Sequence, residues 1–217
     1  MKTWFITGIS RGFGKALAEA VLARGDVVIG TVGEGVPDVE ASGGRLHVLP
    51  LEVTDNEAVK ATVAKTFDLA GTVDVIANNA GFGLLGAVEE ASSEEIKRVF
   101  DVNFFGPLNV IKAALPRLRA QGSGHIVNIT SIAGRAPGAG SGIYAAAKHA
   151  LEGLSSSLTQ EVGPLGIKIT TVAPRSIPDG FSVRSFHSDK RTAGRGLYSQ
   201  RRQGAAGLRA DGGQPDR

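Results

Sequence analysis

Residues 2–25, KTWFITGISRGFGKALAEAVLARG, carry the reading on which the fold turns. KTWFIT is a short apolar run rich in strand-forming residues that stops at Gly8, as a strand buried on both faces would. Glycines at 8, 12 and 14 follow, and glycine permits a tight turn and a close approach of backbone to a phosphate. KALAEAVLARG then has apolar residues at helical spacing and reaches Gly25, the expected C-cap. A strand, a glycine turn and a helix in that order place free N–H groups and the positive end of a helix dipole at the turn. Three glycines alone say little in a chain holding 30. The flanking strand and helix are the context that gives them meaning.

Working outward, the pattern repeats. DVVIGTV and RLHVLPLEV read as strands, and TDNEAVKATVAKTFDLAG as a capped helix ended by Gly71. VDVIANNAG is a strand running into an Asn-Gly turn. SSEEIKRVFDVNFFGPLNVIKAALPRLRAQG is helical with a break expected at Gly106-Pro107. GHIVNITS, a helix from residue 142, and GIKITTVAP complete the alternation. Alternating strands and helices predict an α/β fold: a Rossmann-like, doubly wound parallel sheet in three α/β/α layers, as a single domain.

Composition narrows the function classes. The chain has 217 residues, 42% hydrophobic and 21% charged, as a soluble globular domain has. Cysteine is absent, which excludes disulfides and thiolate chemistry. His47, His125, His149 and His187 show no metal-ligand spacing, so no metal site is expected. Residues 175–217 hold nine Lys/Arg against four Asp, a net of +5, whereas residues 1–174 carry a net of −2. The basic character lies in the tail, and the body offers nucleic acid no electrostatic footprint. The apolar run at the N-terminus is too short for a signal sequence or a membrane span, so a cytoplasmic protein with no membrane association is expected.

Two features point to chemistry. In GIYAAAKHAL, residues 142–151, Tyr144 and Lys148 stand four apart in a helix-favouring run and so share a face. A phenol beside an ammonium is a candidate proton-transfer group, although many solvated helices show the same spacing. The second feature is Arg11 in the glycine turn, combined with a second strand that ends Thr31-Val32-Gly33 and has no acid before Glu34. An acid at that strand end would hold the adenosine ribose of NAD, whereas an arginine suits a 2′-phosphate. NADP is therefore expected in preference to NAD, with NAD still admissible.

With TGISRGFG at 7–14, NNAG at 78–81, Asn103, Ser131 and YAAAK at 144–148, the chain resembles the classical short-chain dehydrogenases/reductases over about residues 2–174. Ser131 lies thirteen residues before Tyr144, the usual interval in that family. Phe13 and GPLNVIKAALP resemble the retinol- and hydroxysteroid-dehydrogenase-like group. The resemblance implies an NAD(P)-dependent oxidoreductase that moves hydride between a nicotinamide cofactor and a small alcohol or carbonyl substrate. It implies that Ser131 binds the substrate oxygen, Tyr144 passes the proton, Lys148 holds the nicotinamide ribose and lowers the Tyr144 pKa, and Asn103 holds a relay water. Gly8, Ser10, Arg11, Gly12, Phe13, Gly14, Glu52, Val53, Asn79 and Pro174, with Tyr144 and Lys148, are implied to contact the cofactor, Asn79 at its ribose. It also implies a homo-oligomer, a dimer or tetramer, formed through the helices around NVIKAALPRL and ALEGLSSSLTQEVG.

Two places depart from the family. Glu52 stands where Asp or Asn usually lies beside the adenine, and Arg175 stands where Gly usually follows Pro174. The family's lid helix and last strand are not legible beyond that point. Residues 1–174 are thus expected to form the NAD(P)-binding domain. Residues 175–217 are expected to be a divergent, flexible basic tail, as a truncated or shifted reading frame would give. The main sheet is expected to end at the KITTV strand. The alternative function is a catalytically impaired nucleotide-binding relative lacking a complete substrate pocket.

Overall fold

The computed structural model describes residues 1–33, 35–41 and 43–175, together with the backbone of 183–185. Six strands form one sheet: β1 (Thr3–Ile6), β2 (Val27–Val32), β3 (Arg45–Pro50), β4 (Val75–Asn78), β6 (Gly124–Ile129) and β7 (Ile167–Val172). Their order is β3-β2-β1-β4-β6-β7, and every pairing is parallel. The helices between them are α1 (Gly12–Ala23), α2 (Asn56–Ala70), α3 (Ser93–Phe100), α4 (Gly106–Gln121) and α5 (Gly142–Val162).

The continuous apolar runs are explained by burial on both faces. All six residues of β2 are buried. Neighbouring side chains point to opposite sides of a strand, and Phe5 and Ile29 join the core under α2, α4 and α5 while Ile6 and Val28 join the core under α1. This is the doubly wound arrangement expected from the sequence. The strand order reverses between β1 and β4, so the carboxyl ends of these two strands frame the crevice where such sheets bind ligands.

Helix ends follow their local chemistry. The Asp55 side chain caps α2, accepting from the N–H groups of Glu57 and Ala58 at 3.0 Å each. Ser92 and Glu95 form a capping box at the start of α3. Gly25 follows the helix in the left-handed region at φ 79°, one position beyond the C-cap residue Arg24.

The expected break at Gly106-Pro107 is displaced. The irregularity is a π-helical turn over Asp101–Phe105, and Gly106 opens α4. A proline in the first turn costs a helix no hydrogen bond. Gly106 is instead needed for closeness: a Cβ there would meet Val53 Cγ2 at 2.8 Å.

Two short strands were not legible in the sequence, β5 (Gly83–Leu85) and β8 (Val183–Ser185), which pair in parallel. Among the described residues β7 is the last strand of the six-stranded sheet. The expectation of a flexible tail over 175–217 falls outside the described residues, apart from Arg175 and the backbone of β8.

Candidate active site

The glycine turn is anchored from below. The N–H groups of Gly8 and Ile9 donate to the Thr31 carbonyl at 3.0 and 2.9 Å, fastening the turn to the end of β2. Gly8 and Gly12 have φ of 73° and 58°, in the region that favours glycine. Gly14 is required by space. A Cβ there would lie 2.1 Å from the Gly8 carbonyl oxygen and 2.2 Å from Asn79 Nδ2. Gly14→Ala is therefore expected to destabilise the fold by about 1–3 kcal/mol or more through overpacking against backbone. Urea denaturation of the variant would measure it.

Asn79 braces the same turn. Its Nδ2 donates to the carbonyls of Thr7 and Gly8 at 2.9 and 2.8 Å. Thr7 Oγ1 accepts from the N–H groups of Asn79 and Ala80 at 3.0 Å each. The Asn79 amide nitrogen is thus engaged by the protein itself, and the residue still lines the cleft.

That cleft lies at the reversal of strand order. Gly8, Ser10, Arg11, Gly12, Phe13, Gly14, Asn79, Tyr144, Lys148 and Pro174 all border it. An adjoining depression reaches from Gly8 and Arg11 past Thr31 and Gly33 to Glu52, Val53 and Arg98. Arg98, on α3, was not anticipated from sequence, where Glu94 and Glu95 at i−4 and i−3 make it read as an ordinary solvated helix charge. The Glu52 carboxylate accepts from the Thr54 N–H at 3.3 Å.

The cleft suits a dinucleotide. The N-cap Arg11 sends no side-chain bond onto the first turn of α1, and that turn carries no acidic residue. Its N–H groups and dipole are therefore available to an anion such as a diphosphate.

Tyr144 and Lys148 lie one helical turn apart near the start of α5, 6% and 3% exposed. Lys148 Nζ donates to the Ile129 carbonyl at 2.9 Å and sits 5.9 Å from the Tyr144 ring centroid. Burial pushes the Lys148 pKa down to about 8. Burial raises the Tyr144 pKa, and a hydrogen bond with Ser131 partly offsets that rise. The expected lowering of the phenol by Lys148 does not dominate here, because the ammonium is directed at Ile129 and the ring rather than at the hydroxyl. Ser131 caps the short 3-10 turn Ile132–Gly134, its Oγ accepting from the Ala133 N–H at 3.2 Å.

Asn103 sits fully buried in the π-helical turn. Its Nδ2 donates to the carbonyls of Phe82 and Val99 at 3.0 and 3.1 Å. Its Oδ1 is buried and has no hydrogen-bond partner. A Cβ at Gly81 would lie 2.7 Å from that Oδ1 and 3.4 Å from Lys148 Nζ, so both atoms face the small space that this glycine leaves. The sequence thus marked residues that the fold gathers at one crevice: the turn after β1, the end of β4, the π-helical turn, the end of β6 and the start of α5.

A parallel doubly wound sheet with an uncapped glycine turn at its switch point defines a nucleotide-binding α/β protein. The chain belongs to the short chain dehydrogenase family, whose model matches residues 2–187. It is similar to Oxidoreductase BOA17 of Botryotinia fuckeliana, with 42% identity over 180 residues, covering 81% of this chain and 66% of that protein. It is also similar to a 3-ketodihydrosphingosine reductase of Bacteroides thetaiotaomicron, with 38% identity over 177 residues, covering 82% of this chain and 64% of that protein. The chain therefore spans about two thirds of the length of these relatives. Among solved structures, a short-chain dehydrogenase from Streptomyces avermitilis superposes with a TM-score of 0.79 at 38% identity, over 87% of this chain and 72% of that one. ElxO with NADP bound superposes with a TM-score of 0.77 at 30% identity, over 82% of this chain and 75% of that one.

Proposed function

We propose that the protein is an NAD(P)-dependent oxidoreductase acting on a small alcohol or carbonyl substrate, with NADP(H) preferred. The observation that carries this reading is a buried Tyr144 hydrogen-bonded to Ser131 and stacked one turn from a buried Lys148, on the wall of the cleft that begins at the glycine turn. When bound, the nicotinamide supplies or accepts the hydride. The protein's share is orientation and proton supply.

The first turn of α1, with Gly8, Ser10, Gly12, Phe13 and Gly14, cradles the diphosphate. Asn79 and Pro174 border the cofactor, and Glu52 and Val53 receive the adenine end. Tyr144, whose raised pKa keeps the phenol protonated at neutral pH, donates its proton to a substrate carbonyl oxygen on reduction and recovers one from an alcohol on oxidation. Ser131 donates a hydrogen bond to the same oxygen. Lys148 holds the ribose hydroxyls. The partnerless Asn103 Oδ1 accepts a hydrogen bond from a water that passes protons on from Lys148.

NADP preference rests on Arg11, which borders both the cleft and the adjoining depression, and on the absence of an acid at Thr31-Val32-Gly33. Arg11→Ala is expected to weaken NADP(H) selectively by about 1–3 kcal/mol, the worth of a charged hydrogen bond, and to leave NAD(H) affinity nearly unchanged. Titration calorimetry with both cofactors measures this, and equal losses would remove the assignment.

Activity is tested by following NADPH absorbance with a panel of ketones, aldehydes and quinones. The competing reading, a nucleotide-binding relative impaired in catalysis, is favoured by Arg175 following Pro174 at the cleft. Tight NADPH binding with no turnover across the panel would establish it. Our reading further takes residues 1–174 as the nucleotide-binding domain of a cytoplasmic homo-oligomer. Among the described residues no helix is long and apolar enough to cross a membrane, and no cluster of potential metal ligands occurs.

A further inference from the structure

We infer that Arg98 recognises the adenine base of the cofactor, laying its guanidinium plane on the purine; the inference rests on the proposed dinucleotide site and extends it. Arg98 borders the depression that begins at Gly8 and Arg11, and it borders a second depression further along α3. Glu52 borders both as well, whereas Arg11 borders only the first. Arg98 therefore shares with Glu52 the junction of the two depressions. With Arg11 at the ribose phosphate and Glu52 at the level of the purine amino group, the group left for Arg98 is the base.

Charge separates base from phosphate. On the side of the second depression, which Arg11 does not border, Arg98 is surrounded by three carboxylates, Glu52, Glu94 and Asp101, against Lys97. A dianionic phosphate is repelled by such a surround, but an uncharged purine is not. Arg98 is also free to act. Lys97 takes Asp101 in an i,i+4 pair at 2.5 Å, and among the described residues Arg98 has no carboxylate oxygen within 4.0 Å. Val53 and Val102 supply apolar walls in the first depression. A planar guanidinium over an aromatic ring, backed by aliphatic side chains, is a base-recognising arrangement.

The test is calorimetric binding of 5′-AMP, 2′,5′-ADP and nicotinamide mononucleotide to the full chain and to Arg98→Ala and Arg98→Lys. Arg98 is exposed, so both variants keep the fold. Arg98→Ala is expected to weaken 5′-AMP and 2′,5′-ADP by the same factor, about five-fold for an exposed stacking contact, and to leave nicotinamide mononucleotide unchanged. Arg98→Lys should lose nearly as much, because an ammonium has no plane. A loss confined to 2′,5′-ADP, full rescue by lysine, or no loss at all would overturn the inference while leaving the dinucleotide site intact. Failure of the parent protein to bind either adenine nucleotide would overturn both.

Discussion

Tyr144→Phe is expected to lower kcat by about 10²–10⁴-fold, the usual contribution of a positioned general acid–base group. The ring keeps its packing in α5, so affinity for NADPH should stay within roughly two-fold of the parent, and stability should fall by about 1 kcal/mol for the lost Ser131 bond. The pH dependence has a definite sign. Burial raises the phenol pKa, so at neutral pH Tyr144 carries its proton and is poised to give it to a carbonyl. Alcohol oxidation needs the phenolate, and its rate should climb as pH rises toward that pKa. Steady-state kinetics in both directions would check this. Residual turnover within a few-fold of the parent, or an alkaline climb in oxidation rate that persists in the phenylalanine variant, would assign the proton to another group.

Strands buried on both faces are legible because their sequences are nearly uninterrupted apolar runs, as in Val27–Val32. Amphipathic helices with clear ends, such as α2 between Asp55 and Gly71, are equally plain. The three-residue strand Gly83–Leu85 was missed because so short a run cannot show a period. Gly106-Pro107 misled for another reason. Both residues are usual helix breakers, but here Gly106 provides close packing and Pro107 sits in the first turn of α4, while the true distortion falls on Asp101–Phe105, whose residues carry no such signal.

At the site, the spacing of Tyr144 and Lys148 pointed to a proton-transfer pair, and the family resemblance implied roles for Ser131 and Asn103. What each polar atom touches was not announced. Nothing local to Asn79 tells that its amide nitrogen ties down the carbonyls of Thr7 and Gly8, some seventy positions earlier. Nor does the sequence around Lys148 show that Ile129 receives its ammonium. Such partners depend on which strand ends the fold brings together. Arg98 escaped notice because a charge on a helix is ordinarily solvated, and only the depression beside Glu52 distinguishes it.

The second large effect concerns Lys148, whose burial ties the candidate chemistry to stability. Its pKa is about 8 in the folded chain and 10.5 in the absence of burial. Below about pH 8 the lysine is charged in both folded and unfolded chains, and the folded state bears the whole cost of burying that charge, about 3 kcal/mol. Between pH 8 and 10.5 the unfolded chain binds more proton than the folded one, so stability rises with pH, and above that range the cost is gone. Lys148→Met removes the titration. It also strands the Ile129 carbonyl, a loss of about 1–3 kcal/mol that does not change with pH. The stability of the methionine variant relative to the parent should therefore decline by about 3 kcal/mol between pH 7 and pH 10.5, a difference that cancels every other titrating group. At the same time kcat/KM should fall about 10–100-fold, the worth of a charged hydrogen bond to the ribose. Paired urea titrations across that range supply the first quantity and steady-state kinetics the second. A pH-independent stability difference would mean that Lys148 keeps its ordinary pKa in the fold, as a solvated ammonium would, and the burial assigned to it would be overturned.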